Sequence, residues 1–176
     1  MLICFPFIFI VWINDFSFPL YFAKRVGKNL KIFPLIKIRS MIKNADKSNV
    51  ISTKTNDERI TKIGLIIRKY KVDELPQIIN ILLGQMSLVG PRPNTYKQGV
   101  ELYTKKELEQ IEILPGITDF SSIIFSDEGE ILKNSSNPNK DYNDLIRPWK
   151  SKYGIFYIKH MSLKIDIILI FLTILS

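Results

Sequence analysis

Two adjacent carboxylates, Asp73 and Glu74, stand at the start of a predicted helix in the middle of the chain. The apolar residues that follow have the spacing of one helical face: Leu75, Ile78, Ile79, Leu82 and Leu83. Pro76 falls in the first turn, where a missing N–H costs little. Asp73 would then lie near the N-cap, where unpaired N–H groups and the helix dipole favour an anion. On this helix alone, a capping role and a catalytic role for Asp73 are about equally supported.

Arginines flank the carboxylate pair on both sides and point to phosphate chemistry. Arg68 lies five residues before Asp73, and Arg92 follows the helix between two prolines that stiffen the backbone around it. A guanidinium held in this way binds phosphate through two parallel hydrogen bonds. The combination indicates a site for a phosphorylated substrate, with or without a metal. Arg68 would also suit the C-terminal dipole of a helix predicted over residues 57–69.

The carboxylate pair belongs to a longer pattern, which the chain carries at Asp73–Gln77, Asn80, Gly84, Met86–Pro93 and Pro115–Thr118. This pattern resembles the bacterial sugar transferase family, whose members are monotopic polyprenol-phosphate phosphoglycosyl transferases. The resemblance covers nearly the whole chain, from about Pro6 to Thr173. It implies transfer of a sugar phosphate from a nucleotide diphosphate sugar, with UDP as the expected nucleotide, to a polyprenol phosphate. The expected location is the cytoplasmic face of the bacterial inner membrane, and the expected outcome is the start of cell-surface glycan assembly.

The same resemblance implies a residue for each part of a two-step displacement. Asp73 attacks the sugar-side phosphate and forms a covalent phosphosugar intermediate, which the polyprenol phosphate then resolves. Arg68 and Arg92 bind phosphate, and Glu74 ligates Mg²⁺ together with Asp73 or positions a phosphate. A carboxylate that attacks a diphosphate meets strong charge repulsion, for which Mg²⁺ with oxygen ligands is the usual remedy.

A second cationic element precedes the carboxylates. Residues 33–41 alternate apolar and cationic side chains from Leu35 onwards, which predicts a strand or extended segment. The segment resembles the family's Lys-Phe-Arg-Thr-Met element, and this resemblance makes Lys37 and Arg39 candidate phosphate-binding residues. Residues 117–128 resemble a subgroup that often uses N-acetylated or amino sugars.

The composition fits one domain with an anionic partner. The chain has 176 residues, 46% of them hydrophobic, and a net charge of +8. Its mean hydropathy of +0.07 is high for a chain with 24% charged residues. The apolar residues are concentrated at the two ends of the chain. Cys4 is the only cysteine, so no intramolecular disulfide can form. A nucleotide or a membrane surface suits the charge better than nucleic acid, for which the sequence carries no binding signature.

Residues 1–22 are predicted to insert into a membrane, and residues 23–176 to form the catalytic domain. The run Met1–Ile13 would reach only about 20 Å as a helix, against roughly 30 Å of hydrocarbon. It fits a signal-peptide core, a buried helix, or a segment that enters the bilayer and returns. The resemblance favours the third, with its bend at Pro6. Because Phe5 replaces a small polar residue and the first half of the family's hairpin is missing, we expect a truncated chain or a misassigned start.

The remaining patterns predict an α+β fold that is mainly helical, with amphipathic helices at the membrane interface. Residues 145–160 carry aromatic side chains among lysines and arginines, which is typical of a membrane interface. Further helices are predicted over residues 57–69, 94–112 and 164–176. The last is too short to span a membrane, so it packs on the core or lies at the membrane surface. A second acidic pair, Asp127–Glu128, falls in a predicted loop and is interpreted as solvated or at the substrate's edge. His160 is the lone histidine and makes no metal site.

Three hypotheses follow from the sequence. The first is the transferase just described, with nucleotide sugar, polyprenol phosphate and membrane lipids as partners. The second is a non-enzymatic basic binding protein, and the third is a truncated, inactive, membrane-bound relative. The identity of the sugar, the glycan pathway and the oligomeric state are left open.

Overall fold

Two small sheets and eight α-helices organise the part of the chain that a computed structural model describes, residues 4–48 and 52–175. The strands are β1 Leu20–Val26, β2 Ile32–Ile38, β3 Ser87–Val89 and β4 Gly116–Thr118. The helices are α1 Cys4–Asp15, α2 Lys62–Lys69, α3 Gln77–Leu82, α4 Phe120–Ile124, α5 Glu128–Ile131, α6 Pro138–Asp141, α7 Arg147–His160 and α8 Leu163–Leu175. More than half of the described residues are helical, which confirms the mixed, mainly helical class.

The first sheet is an antiparallel hairpin that carries Lys37. Strand β1 pairs with β2 from Leu20 opposite Ile38 to Val26 opposite Ile32. The end of the hairpin near Leu20 and Ile38 packs against α1 and α2. The sequence predicted the second strand, and the structure adds its partner strand, β1.

Helix α2 begins later than the sequence predicted. Thr61 caps it, with the Thr61 hydroxyl accepting a hydrogen bond from the Gly64 N–H at 2.9 Å. Asp57, the first residue of the predicted helix, instead pairs with Arg59. A Cβ added to Gly64 would overlap the carbonyl of Ser40, so the glycine lets α2 lie directly against the segment that follows β2.

The helix expected to bury an apolar face is turned the other way. Gln77 and Asn80 are 2% and 0% exposed, whereas Leu82 on the same helix, α3, is 82% exposed. Leu83, Ile78 and Leu75 are also exposed. The predicted helix is confirmed, but its apolar face lies outward, because the amide side chains of Gln77 and Asn80 fill the interior side.

The C-terminal half packs around the second sheet. Strands β3 and β4 run parallel, with Ser87 opposite Gly116 and Val89 opposite Thr118. Helix α8 covers them: Leu169 is fully buried against Val89 and Tyr157, while other α8 side chains such as Phe171 stay exposed. In place of the predicted helix over 94–112, the structure has a π-helical segment, Lys97–Glu101, and a 3-10 helix, Glu107–Glu112. Within residues 4–48 and 52–175, none of the helices combines the length and the apolarity that crossing a membrane needs.

Candidate active site

The carboxylate pair lies in a single tight turn between α2 and α3. Lys71 adopts a left-handed backbone conformation, with φ of 52°, which ends α2 and starts the turn Val72–Glu74. Helix α3 begins only at Gln77, and its cap position, Pro76, offers no side-chain bond. Asp73 is therefore not the cap of this helix, so the capping explanation of this residue is wrong.

Asp73 is a buried carboxylate with little compensation. It is 7% exposed, and the nearest cation, the Lys37 Nζ, lies 3.9 Å from its Oδ2. Among the residues that the structure describes, none donates a hydrogen bond to the Asp73 side chain. Burial raises the pKa of Asp73 and the neighbouring Glu74 carboxylate adds to this, while Lys37 and Arg68 oppose it.

Glu74 has the opposite environment. Its Oε1 accepts a hydrogen bond from the Lys37 Nζ at 2.9 Å and another from the Arg92 guanidinium. Burial alone would raise the pKa of Glu74, but Arg92 and Lys37 outweigh it and hold the pKa well below its usual range. The two neighbouring carboxylates thus differ in their partners. Two cations bind and neutralise Glu74, whereas Asp73 receives no hydrogen bond from the described residues.

The two phosphate-binding candidates that flank the pair both reach the site. Arg92 follows β3, and its Nη1 donates to the Ile117 carbonyl at 3.3 Å, which ties it to β4. Arg68 leaves the last turn of α2, and its Nε donates to the Ser40 hydroxyl at 2.8 Å. Burial lowers the pKa of Arg68, and attraction to Asp73 partly offsets this. The structure brings both guanidiniums and Lys37 around the carboxylates, and their phosphate-binding role stays a prediction.

Arg39 and Pro6 are not part of the cluster around the carboxylate pair. The Arg39 guanidinium makes two hydrogen bonds to Asp15, at 2.7 and 2.5 Å, so it joins β2 to the end of α1. It borders the cleft but is not brought to the carboxylate pair. Pro6 lies in the first described turn of α1, and the residues before Cys4 lie outside the described part, so the predicted kink stays a prediction.

A buried amide that the periodicity did not single out fixes the spacing of the site. Asn80 accepts from the Ile36 N–H at 3.1 Å and donates to the Pro34 carbonyl at 2.8 Å. These bonds hold α3 beside β2, one residue from Lys37. The available signal was an asparagine inside an otherwise apolar stretch, since a buried amide must find hydrogen-bond partners.

The site opens into a cleft of about 1540 Å³ lined by Lys37, Asp73, Glu74, Arg92 and Glu128. Glu128, from the second acidic pair, borders this cleft and pairs with Lys150, which favours the interpretation at the substrate's edge. In the described part of the chain, no three acidic, histidine or cysteine side chains come together as a ready metal site. One open carboxylate among cations instead fits a metal that takes most of its ligands from water and substrate phosphates.

A buried carboxylate without hydrogen bonds lies beside a neutralised one in a large cleft with several cations, which is the arrangement that the sequence predicted for a phosphorylated substrate. Comparison with known proteins agrees: over residues 1–176 the chain matches the family described as bacterial sugar transferase. The chain belongs to the bacterial sugar transferase family.

Three relatives illustrate the range of the family. The chain is 30% identical over 161 residues, 88% of this chain and 34% of the other, to the UDP-N-acetylgalactosamine-undecaprenyl-phosphate N-acetylgalactosaminephosphotransferase of Aeromonas hydrophila. It is 36% identical over 161 residues, 88% of this chain and 28% of the other, to the undecaprenyl-phosphate glucose phosphotransferase of Komagataeibacter xylinus. It is 35% identical over 167 residues, 89% of this chain and 76% of the other, to the exopolysaccharide production protein PSS of Rhizobium leguminosarum bv. phaseoli. The chain thus spans about a third of the first two proteins and three quarters of the third.

Proposed function

We propose that this protein transfers a sugar 1-phosphate from a nucleotide diphosphate sugar to a polyprenol phosphate, through a covalent phosphosugar intermediate on Asp73. The observation that carries the proposal is the contrast within the carboxylate pair. Glu74 is engaged by Lys37 and Arg92, whereas Asp73 borders the cleft with no hydrogen bond from the described residues. A nucleophile needs an attacking oxygen that is not already engaged, and within the pair this condition favours Asp73.

The first step forms one bond and breaks one. An Asp73 oxygen attacks the sugar-side phosphorus, and the bond from that phosphorus to the bridging oxygen breaks. The electron pair stays on the bridging oxygen, which leaves as part of the nucleoside monophosphate. In the second step an oxygen of the polyprenol phosphate attacks the same phosphorus, and the Asp73 carboxylate is released. No proton has to move in either step, so neither step needs a general base.

The cations of the site reduce the electrostatic repulsion between the nucleophile and the donor diphosphate. A carboxylate and a diphosphate repel each other, and the phosphate oxygens of the transferred group must be neutralised as they approach Asp73. Lys37 lies 3.9 Å from Asp73 and can turn from Glu74 to a bound phosphate. Arg92 and Arg68 approach from β3 and α2. Their arrangement on separate elements surrounds the phosphorus with fixed positive charge.

Magnesium is proposed as the cofactor, with Asp73 as its protein ligand beside the donor phosphates. Glu74 is less suited to that role, since Lys37 and Arg92 already use its Oε1. When bound, Mg²⁺ would supply charge neutralisation of the diphosphate.

The lipid acceptor requires a membrane-facing site, and the exposed apolar surface supports one. Helix α1 and the segment after it expose a run of large side chains: Phe5, Phe9, Trp12, Phe16 and Phe18. Outward-facing α3 and α8 expose further leucine, isoleucine and phenylalanine side chains. Aromatic and aliphatic surface next to basic residues suits the membrane–water boundary. We therefore propose monotopic attachment at the cytoplasmic face of the inner membrane.

The sugar class and the pathway are the finer part of the proposal. A UDP-linked, N-acetylated sugar is the first donor to test, because the named Aeromonas relative uses one. The product, a sugar joined to a polyprenol through a diphosphate, is the starting unit for a cell-surface glycan.

The test is release of nucleoside monophosphate from a panel of sugar nucleotides, with Mg²⁺ and undecaprenyl phosphate. We expect release with one donor, and its loss in Asp73→Asn. The matched control is Asp144→Asn, which removes an exposed carboxylate that does not line the cleft. Normal turnover by Asp73→Asn would refute the nucleophile. Absence of release with every donor would favour the inactive relative instead.

A further inference from the structure

Arg25 is a cleft-lining cation that none of the proposed steps has used. It lies on β1, where side chains alternate between the two faces of the hairpin. Tyr21, Ala23 and Arg25 share one face and line the cleft, whereas Lys24 between them is exposed and lies outside it. Arg25 therefore points to the same space as the carboxylate pair.

This guanidinium has no acidic partner within the described part of the chain. Its one hydrogen bond is to the carbonyl of the neighbouring Lys24, at a long 3.4 Å. Other arginines are compensated: Arg39 pairs with Asp15, Arg92 with Glu74, and Arg147 with Glu107.

Burial lowers the pKa of Arg25, and repulsion from Arg92 lowers it further. Arg25 is only half-buried, and a half-buried cation that borders a cleft without a counterion is a ready site for an anionic ligand.

The position of Arg25 along the hairpin identifies which anion it meets. Lys37 lies opposite Tyr21, while Arg25 lies opposite Phe33, four residues further along, or about 14 Å at the backbone. The Lys37 end of the hairpin packs against the apolar helix α1. Arg25 lies at the other end, with the charge of Arg92 nearby. Lys37 and Arg25 thus line the cleft at different distances from α1, and Arg25 is the farther of the two.

We propose that Arg25 binds the phosphate that leaves with the nucleoside in the first displacement. The inference rests on the proposed function, in which a diphosphate lies across the cleft with its sugar-side phosphorus at Asp73. The lipid acceptor enters from the apolar α1 side, so its phosphate meets Lys37 first. The phosphate remaining toward the far end is the nucleoside-side one, and Arg25 with Arg92 stabilises the negative charge that develops on it.

The experiment measures binding, so it does not depend on turnover. Pyrophosphate, uridine monophosphate and farnesyl phosphate are titrated at one fixed Mg²⁺ concentration into the wild type, Arg25→Gln and the matched control Lys24→Gln. We expect Arg25→Gln to weaken binding of the first two ligands about 10- to 100-fold, the loss of a charge-assisted hydrogen bond. Lys24→Gln keeps wild-type affinities, and farnesyl phosphate binds all three proteins alike.

Thermal unfolding of the same variants separates a binding role from a structural one. Because Arg25 is uncompensated, Arg25→Gln is expected to unfold at the wild-type temperature or above it. Equal pyrophosphate affinity in wild type and Arg25→Gln, absent binding by the wild type, or an effect confined to farnesyl phosphate would overturn the inference. Arg25-dependent pyrophosphate binding without any sugar-phosphate transfer would refute the proposed function and leave Arg25 as a diphosphate-binding residue.

Discussion

Asp73 and Glu74 are neighbours in the chain, yet their surroundings push their pKa values in opposite directions. Burial dominates at Asp73 and raises its pKa, whereas Arg92 and Lys37 outweigh burial at Glu74 and lower its pKa. Such a separation between two carboxylates is common at catalytic sites, where one group serves the chemistry and the other positions it. The pair supports three predictions at the scale of single residues.

Asp73→Asn should abolish turnover while stabilising the fold. Removing the nucleophile is expected to lower the rate by about 10⁴-fold or more. The raised pKa means that the folded state binds the Asp73 proton more tightly, so the wild type loses stability as pH rises from 3.8 through the folded value. Thermal unfolding at pH 7 should therefore show a higher midpoint for Asp73→Asn, and the difference should narrow toward pH 4. A less stable Asp73→Asn at pH 7 would contradict this.

Glu74→Gln removes the same charge one residue later and should have the opposite effect on stability. The lowered pKa means that ionised Glu74 stabilises the fold above its ordinary value of 4.5, and that this is lost only as pH falls toward the folded value. Glu74→Gln leaves Lys37 and Arg92 without their carboxylate, so urea unfolding at pH 7 should show a loss of roughly 2 kcal/mol or more. Unchanged stability would show that the three charges are not coupled.

The pH dependence of the reaction should report Asp73. Its carboxylate must be ionised to attack, and its pKa is raised by burial, so kcat/KM should fall on the acid side with a midpoint above 3.8. Glu74 titrates below that range and should not contribute. An acid limb at or below the ordinary value would mean that Asp73 is not buried in the working enzyme.

At the scale of elements, α3 decides where the site residues stand. Asn80 bonds the backbone of β2 at Ile36 and Pro34, and β2 in turn carries Lys37 to Glu74. Asn80→Ala should cost about 1–3 kcal/mol for each backbone group left unpaired, and should lower kcat by displacing Lys37. Leu82→Ala, on the exposed side of the same helix, should change stability in detergent by about 0.5 kcal/mol at most. Equal losses of stability in Asn80→Ala and Leu82→Ala would contradict the packing of α3 with Asn80 inward and Leu82 outward.

Features of the fold and the site that depend on neighbouring residues could be predicted from the sequence. Features that depend on contacts between distant residues could not. Periodicity located α3, but the rule that apolar faces point inward failed there, because the amides of Gln77 and Asn80 fill the interior side and Asn80 finds its partners on β2. The short turn at Val72–Glu74 depends on the left-handed Lys71, for which the sequence gives no signal. The Arg39–Asp15 pair joins residues that are 24 positions apart, and the local pattern that made Arg39 a candidate carries no signal for such a distant partner. Arg92 and Arg68 were found because their flanking residues carry a recognisable pattern.

At the scale of the whole molecule, the exposed apolar surface predicts membrane binding that resists salt. Vesicle sedimentation should retain the protein at 1 M NaCl, since apolar contact persists where charge attraction is screened. A Phe9→Ser/Trp12→Ser double variant of α1 should release it. The control is Leu30→Ser, an exposed leucine at the turn of the hairpin away from α1. Release of the wild type by salt alone would indicate a basic binding protein instead.

The covalent intermediate is the most direct test of the proposed mechanism. The protein is incubated with sugar nucleotide labelled in the sugar and with Mg²⁺, without lipid acceptor, then quenched, digested and mapped by mass spectrometry. A phosphosugar on the peptide that contains Asp73, chased off by undecaprenyl phosphate, is the predicted result. Product formed on addition of the acceptor, with no adduct on Asp73 under the same conditions, would contradict it.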